Sequence, residues 1–189
     1  MRAAGIRFAA MAPRTRERSR ASRGAGGPQR MAMANAADKA AAGARARPGH
    51  WALGADTIVV LGRRIFGKPR HAAEAARMLS QLQGRTHRVI TAVCLARKGS
   101  RARRFAVTSR VTFRPMNAAA IARYLRRVST RDKAGAYAAQ ERPRQIIRRI
   151  EGSRSNVIGL PMERLRPVLR ALGFLVRRSA RNRAGVLGK

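Results

Sequence analysis

Asp56 stands in the run Leu53-Gly54-Ala55-Asp56-Thr57, where a carboxylate closing a buried strand would face the ligand crevice of an α/β fold. There it could hold a metal or act as a base; the same spacing also suits a turn or cap residue. Further along, Gly67-Lys68-Pro69 combines backbone free of a side chain, an ammonium donor and a stiffening proline, which suits one phosphate contact. The G-x-x-x-x-G-K-[ST] spacing of a Walker loop is absent. Asp132-Lys133-Ala134-Gly135-Ala136-Tyr137-Ala138-Ala139-Gln140 gathers two charges, a flexible glycine, a ring and an amide. Such a segment reads equally as a functional loop or as a capping turn with its tyrosine packed inward. Glu151-Gly152-Ser153 and Asn156 to Pro161 form a second glycine-punctuated stretch entering a helix, where backbone N–H groups can meet an anion or simply build a turn.

The remaining reactive side chains suggest packing. His87 falls within a strand and is expected to be packed or hydrogen-bonded, while His50 and His71 read as exposed, so no histidine-based metal set emerges. Cys94, the single cysteine, sits mid-strand and excludes both an intrachain disulfide framework and a cysteine-rich zinc site.

These groups need a scaffold, and the hydrophobic periodicity supplies one. An Ala-rich helix is predicted from Gln29 to Ala46, broken by Pro48-Gly49. A β-rich segment follows from Trp51 to Leu61, turned by Gly62 into a hairpin with Ile65-Phe66. From His71 to Gln83 the apolar positions recur with the spacing of a helix lying on a sheet, ended by Gly84. Thr86–Ala96 and Arg103–Arg114 read as adjacent antiparallel strands, and Asn117 as the cap of a helix reaching Val128. Ser129–Gln140 is predicted to be loop, Arg144–Ile150 a strand, and Pro161–Leu172 a helix with a kink or boundary at Pro167. Strands and helices mixed in this order give an α/β domain.

Composition bounds the partners. With 45% hydrophobic residues the chain can bury a core, and no apolar run approaches the roughly 18 residues of a membrane span. Lys and Arg number 43 against 8 Asp and Glu, a formal charge of +35 that excludes an all-acidic metal cage. Such a field attracts nucleotides or nucleic acid, although arginines spread over solvated faces of an Ala/Arg/Gly-rich chain would give the same count. The segment 1–30 reads as basic and poorly ordered, with some likeness to a transit peptide but closer to a displaced domain start, and 176–189 reads as a basic tail.

Taken together, G-A-D-T at 54–57, G-K-P at 67–69, G-R-T-H at 84–87, V-T-S-R-V-T-F-R at 107–114, D-K-A-G-A-Y-A-A-Q at 132–140 and E-G-S-R-S-N-V-I-G-L-P at 151–161 resemble the Maf family of nucleoside triphosphate pyrophosphatases. The resemblance implies a Maf/ITPase-like mixed sheet with flanking helices over residues 31–175. It also implies a cytoplasmic, often homodimeric enzyme that splits a nucleoside triphosphate into monophosphate and pyrophosphate with Mg²⁺ or Mn²⁺. The G-R-T-H-R-V and D-K-A-G-A-Y segments are similar to the branch that prefers dTTP and UTP. Carried over by position, Asp56 would be the catalytic acid that holds the metal and its attacking water, and Glu17 a second metal ligand. Thr57, Lys39, Lys68 and Gln140 would bind substrate. The family's opening strand and S-x-S-P-R-R phosphate loop have no counterpart here; Gly5 to Pro13 resembles the piece that follows them, so the N-terminal strand is expected to be missing. Arg14 and Arg16 replace acids usual before Glu17. A catalytically impaired member that binds nucleotide or nucleic acid through its arginines is the alternative this departure raises.

Overall fold

The computed structural model describes residues 5–12, 15–18 and 27–175. Expectations for the remaining N-terminal positions and for the 176–189 tail lie outside the described residues. The elements are α1 (Gly27–Ala46), β1 (Ala52–Leu61), β2 (Arg64–Phe66), α2 (Ala72–Leu82), β3 (Thr86–Ala96) and β4 (Arg103–Phe113), then α3 (Ala118–Arg127), a 3-10 turn (Ala134–Ala136), α4 (Pro143–Ile146), β5 (Ile147–Glu151), α5 (Arg154–Ile158) and α6 (Met162–Ala171).

The strands form one sheet in the order β2-β1-β3-β4-β5, every pairing antiparallel. Alternation along the strands sends successive side chains to opposite faces, so each face collects its own core. On one face α1 lays Met31, Ala32, Ala36 and Ala40 over Ile58, Val60, Ile90, Ala92 and Cys94. On the other, α2 and α3 bury Leu79, Leu82, Ile121 and Tyr124 against Val59, Val89, Val111 and Phe113. At the far end of that face, Leu165 and Leu169 of α6 meet Ile6, Val93 and Leu95. The result is an α/β layered domain with helices on both sides of the sheet.

Alanine is the reason α1 lies so close to the sheet. At Gly54 of β1, an added Cβ would come within 2.1 Å of the Ala36 carbonyl oxygen and 2.5 Å of the Ala40 nitrogen. Only a glycine beneath an alanine face permits that approach, and it brings Asn35 and Lys39 down onto the strand.

Three expectations change. Asp56 does not close its strand: it pairs with Ala92 in the middle of β1, which continues to Leu61 because β3 offers partners all the way to Arg88. Residues 143–146 form a helical turn rather than the start of a strand, since Pro143 takes the first helical position after Arg142 turns into left-handed backbone; β5 begins only at Ile147. Pro167 neither ends nor bounds α6, which runs from Met162 to Ala171. Its lost hydrogen bond is offset by Leu165 and Leu169, both buried on either side of it. His71 and Asn117 cap α2 and α3 through their side chains, the first accepting from Glu74 N and the second from Ala120 N.

Candidate active site

A cleft of about 540 Å³ opens over the edge of β1, and Asp56, Glu17, Lys39, Thr57, Lys68 and Gln140 all line it. Seven stretches of the chain converge to build it, at 17–18, 31–39, 55–59, 65–68, 89, 132–140 and 157–159. β1 pairs with β2 only at Val59 to Leu61, so among the described residues no strand covers its outer edge from Ala52 to Ile58. The cleft wraps this uncovered edge, with Asp56 on the α1 face and Thr57 on the opposite one.

The charged centre is compact. Lys39 Nζ donates to Asp56 Oδ1 at 2.7 Å and to the Ala55 carbonyl at 3.2 Å, and lies 2.9 Å from Glu17 Oε1. Asp56 is 7% exposed and the Lys39 side chain 17%, whereas Glu17 reaches in from a more open segment. Burial alone would pull the Lys39 ammonium down, but its hydrogen bonds to Asp56 and Glu17 outweigh that and hold it above the usual lysine range. The Lys39 hydrogen bond, with further help from Lys68, holds Glu17 below the ordinary carboxylate range against a smaller opposing effect of burial.

A residue that sequence reasoning missed fixes this centre. Asn35 is buried and uses three of its bonding positions: Nδ2 donates to Asp56 Oδ2 (3.1 Å) and to the Arg18 carbonyl (3.1 Å), while Oδ1 accepts from Arg18 N (2.9 Å). One amide thus ties the segment bearing Glu17 to the strand bearing Asp56. The signal was available, because Met31, Asn35 and Lys39 recur at helical i, i+4 spacing and all three line the cleft.

The second wall is built by loops. Gly135 N donates to Gly67 O at 3.0 Å, which joins the G-K-P turn to the D-K-A-G-A-Y loop. Gly135 has φ 72 and lies against Val59, so a side chain there is disfavoured twice. Ala136, with φ 60, holds left-handed backbone without being glycine, a local strain of the kind that collects at functional loops. Tyr137 packs inward and its hydroxyl lies 3.0 Å from His87 Nε2, while Asp132, Lys133 and Gln140 of the same loop line the cleft. The tyrosine thus packs inward, as the turn reading expects, while its neighbours face the cleft. Burial lowers His87 to about 4 and raises Tyr137 strongly, so both are neutral packing groups.

Behind the cleft runs a buried polar chain. Thr57 Oγ1 lies 2.9 Å from Thr91 Oγ1, which donates to the Asn156 carbonyl at 3.0 Å. Asn156 Nδ2 donates to Val89 O (3.1 Å) and Ser109 Oγ (2.9 Å). This fixes α5, whose Val157 and Ile158, with Gly159, close the apolar side of the cleft. The E-G-S-R-S-N stretch is thus a wall held by its asparagine. Ser153 caps α5 by accepting from Asn156 N, and both Ser153 and Ser155 donate to Glu163 of α6.

The cleft is thus lined by three carboxylates, Glu17, Asp56 and Asp132, and by three lysines, Lys39, Lys68 and Lys133. The Maf-like protein profile covers residues 1–172. The chain belongs to the Maf-like protein family. Among its curated relatives, the dTTP/UTP pyrophosphatase of Polaromonas sp. is 48% identical over 124 residues, 66% of this chain and 61% of the relative. That of Myxococcus xanthus is 46% identical over 127 residues, 67% and 64% of the two chains. That of Akkermansia muciniphila is 42% identical over 147 residues, 78% and 77%. The matched part of this Maf-like chain thus spans less than two thirds of the first two relatives. Among the described residues, no helix is long and apolar enough to cross a membrane.

Proposed function

We propose that this Maf-like chain hydrolyses dTTP or UTP to the nucleoside monophosphate and pyrophosphate. One observation carries the reading: Asp56, Glu17, Lys39, Lys68 and Lys133 converge on a single cleft of a size suited to a nucleotide. Hydrolysis at a phosphorus needs cations around spreading negative charge and a carboxylate to position water, with little covalent apparatus. Lys68 and Lys133 supply the cations on the loop side, and Lys39 supplies one from α1. Asp56, pinned by Asn35, faces the space where water would stand and accepts its proton as the bond between the α and β phosphates breaks. Gln140 at the rim and the apolar wall of Val157 and Ile158 suit a base, the first by hydrogen bonding and the second by contact.

The donor set fits Mg²⁺ or Mn²⁺. Glu17 Oε1, Asp56 Oδ1 and the Ala55 carbonyl already converge on one cation-sized position, and all three are the hard oxygen ligands such ions take. Bound there, the ion would supply charge neutralisation at the phosphates and a more acidic water. A cytoplasmic location and a homodimer, as the family resemblance implies, go with this reading.

Pyrophosphate release measured across dTTP, UTP, CTP, ATP and GTP, with Mg²⁺ or Mn²⁺, tests the proposal. Turnover of dTTP and UTP that disappears in Asp56→Asn supports it. Release of orthophosphate alone, or an Asp56→Asn protein with unchanged turnover, contradicts it.

A second reading concerns the arginine surplus. Strand register puts Arg88 and Arg110 side by side on the α1 face of the sheet, with Arg149 of β5 next to Arg110 and Arg104 farther along β4 opposite Cys94; all four are exposed, and Glu151 pairs with Arg110 and Arg149. This strip suits the phosphates of nucleic acid, bound without regard to sequence. Replacing Arg88, Arg104 and Arg110 by Ser should weaken binding of a DNA duplex and flatten its salt dependence. The same change at Arg123, Arg126 and Arg127, on exposed α3, should do less. Equal losses from the two triples would reduce the effect to net charge.

A further inference from the structure

We propose that Lys39 is a displaceable counter-ion that holds the metal position until nucleotide arrives, so that divalent cation and nucleotide enter the cleft cooperatively. The inference rests on the pyrophosphatase reading and adds an order of binding to it. A lysine ammonium has three donors and no acceptor. Those of Lys39 face Asp56 Oδ1 at 2.7 Å, Glu17 Oε1 at 2.9 Å and the Ala55 carbonyl at 3.2 Å. With that set complete, Lys39 has no donor left for a phosphate, and the two carboxylates have a cation between them already. A divalent ion claiming the same oxygens has to evict the ammonium.

The surroundings allow the side chain to leave while its frame stays. The Lys39 backbone is seated directly on β1, where α1 packs against Gly54. Its four-carbon stem can swing, as lysine stems do. Asn35 keeps hold of Asp56 Oδ2 and of both Arg18 backbone groups, so the two carboxylates remain together after the ammonium departs. A triphosphate entering beside Lys68 and Lys133 brings the oxygens that Lys39 needs as new partners. Nucleotide therefore raises metal affinity by drawing Lys39 away, and metal raises nucleotide affinity by the same factor.

The test is Mn²⁺ binding to the full chain, read from loss of the free-ion EPR signal, with and without a non-hydrolysable α,β-methylene UTP analogue; Mn²⁺ with the analogue alone serves as the blank. Wild type should bind Mn²⁺ about 10-fold more tightly once the analogue is present, within the usual range of coupling. Lys39→Met should gain about 10-fold in the absence of nucleotide and lose most of the enhancement. Lys39→Gln, which keeps hydrogen-bonding capacity and removes the charge, should behave alike and guards against misfolding of the first variant. Lys68→Met removes an equal charge from the same cleft without vacating the space between the carboxylates, and should change nucleotide-free Mn²⁺ affinity less than about threefold. The proposal is overturned if nucleotide-free wild type binds Mn²⁺ as tightly as Lys39→Met, or if Lys68→Met matches the Lys39 variants. Pyrophosphate release by wild type separates the two claims: its absence with every triphosphate would remove the enzymatic reading and leave the Mn²⁺ contrast to judge Lys39.

Discussion

Gly54→Ala is a methyl group added in the second row behind Asp56, and its consequence can be worked from the packing. The new Cβ would stand 2.1 Å from Ala36 O, 2.5 Å from Ala40 N and 3.0 Å from Lys39 Cβ. Two of these are helix backbone, which cannot rotate away as a side-chain tip does. To bring the closest contact out to about 3.0 Å, α1 or β1 must retreat by roughly 0.9 Å at this point, an overpacking that typically costs about 1–3 kcal/mol. In a chain of this size that lowers the melting temperature by several degrees. The retreat also carries Asn35 and Lys39 away from Asp56, whose bonds to them are 3.1 and 2.7 Å. Misplacement by about 1 Å is enough to reduce catalysis on the order of 100-fold. Differential scanning fluorimetry and pyrophosphate release, measured together, test both effects. Gly67→Ala is the matched control, since Gly67 lines the same cleft and its Cβ would meet nothing within 4 Å. A Gly54→Ala protein with wild-type turnover and melting temperature, or a Gly67→Ala protein equally damaged, would refute the argument that close helix approach sets the site.

Two further outcomes follow from buried groups behind the cleft. His87 is held to about 4 by burial, against about 6.5 when unfolded. The unfolded chain therefore takes up a proton that the native one refuses, and stability falls as pH drops from about 6.5 toward 4, by up to about 3 kcal/mol. His87→Gln should flatten that part of a pH series of urea melts, and an unchanged slope would remove His87 as its origin. Asn156→Ala leaves Ser109 Oγ and Val89 O without their amide partner in a fully buried place, at a cost of about 2–3 kcal/mol. It should also raise KM for the nucleotide more than it lowers kcat, because Val157 and Ile158 lose their anchor; equal effects on both parameters would point to general unfolding.

The parts of the fold legible in the sequence are those where one local rule acts alone. Thr86–Ala96 and Arg103–Phe113 announce themselves by length and β-branching, and Asn117 and His71–Gln83 by cap and stripe. Errors fell where a local signal met a nonlocal one. Pro167 obeys the tertiary anchorage of Leu165 and Leu169 rather than its own helix-breaking ring. Residues 144–146 carry strand-like side chains but follow the proline at 143, which starts a helical turn. Asp56 reads as a carboxylate closing its strand, whereas the cleft, cut into an uncovered strand edge, admits a carboxylate at mid-strand. For the site, residue identity could be transferred by motif, and all six transferred side chains do line one cleft. What motif reading lacks is the connection between them. Asn35 joins Glu17 to Asp56 through hydrogen bonds that span 17 and 21 positions, and no pattern in the intervening sequence encodes that link.

Those connections also explain how a chain of charge +35 can keep two carboxylates ready for a cation. Ionised acids attract the nearest arginine, and a bidentate guanidinium would cap them with a fork that water cannot displace easily. The nearby Arg18 guanidinium is instead engaged by Asp38 at 2.5 Å, on the outer side of α1, while its backbone is clasped by Asn35. The cation that does reach Asp56 and Glu17 is a lysine, a single ammonium on a flexible stem rising from a helix packed directly on β1. Lysine is scarce in this sequence relative to arginine, and Lys39, Lys68 and Lys133 all face the one cleft. At this cleft it is therefore a lysine, not an arginine, that stands where a counter-charge has to be surrendered. Replacing Lys39 by Arg puts this to use as a test: the charge is kept, but the guanidinium fork should hold both carboxylates, so turnover should fall together with nucleotide-dependent Mn²⁺ binding. A Lys39→Arg protein that retains both would show that any cation serves at this position, and the distinction drawn between the two residues would be lost.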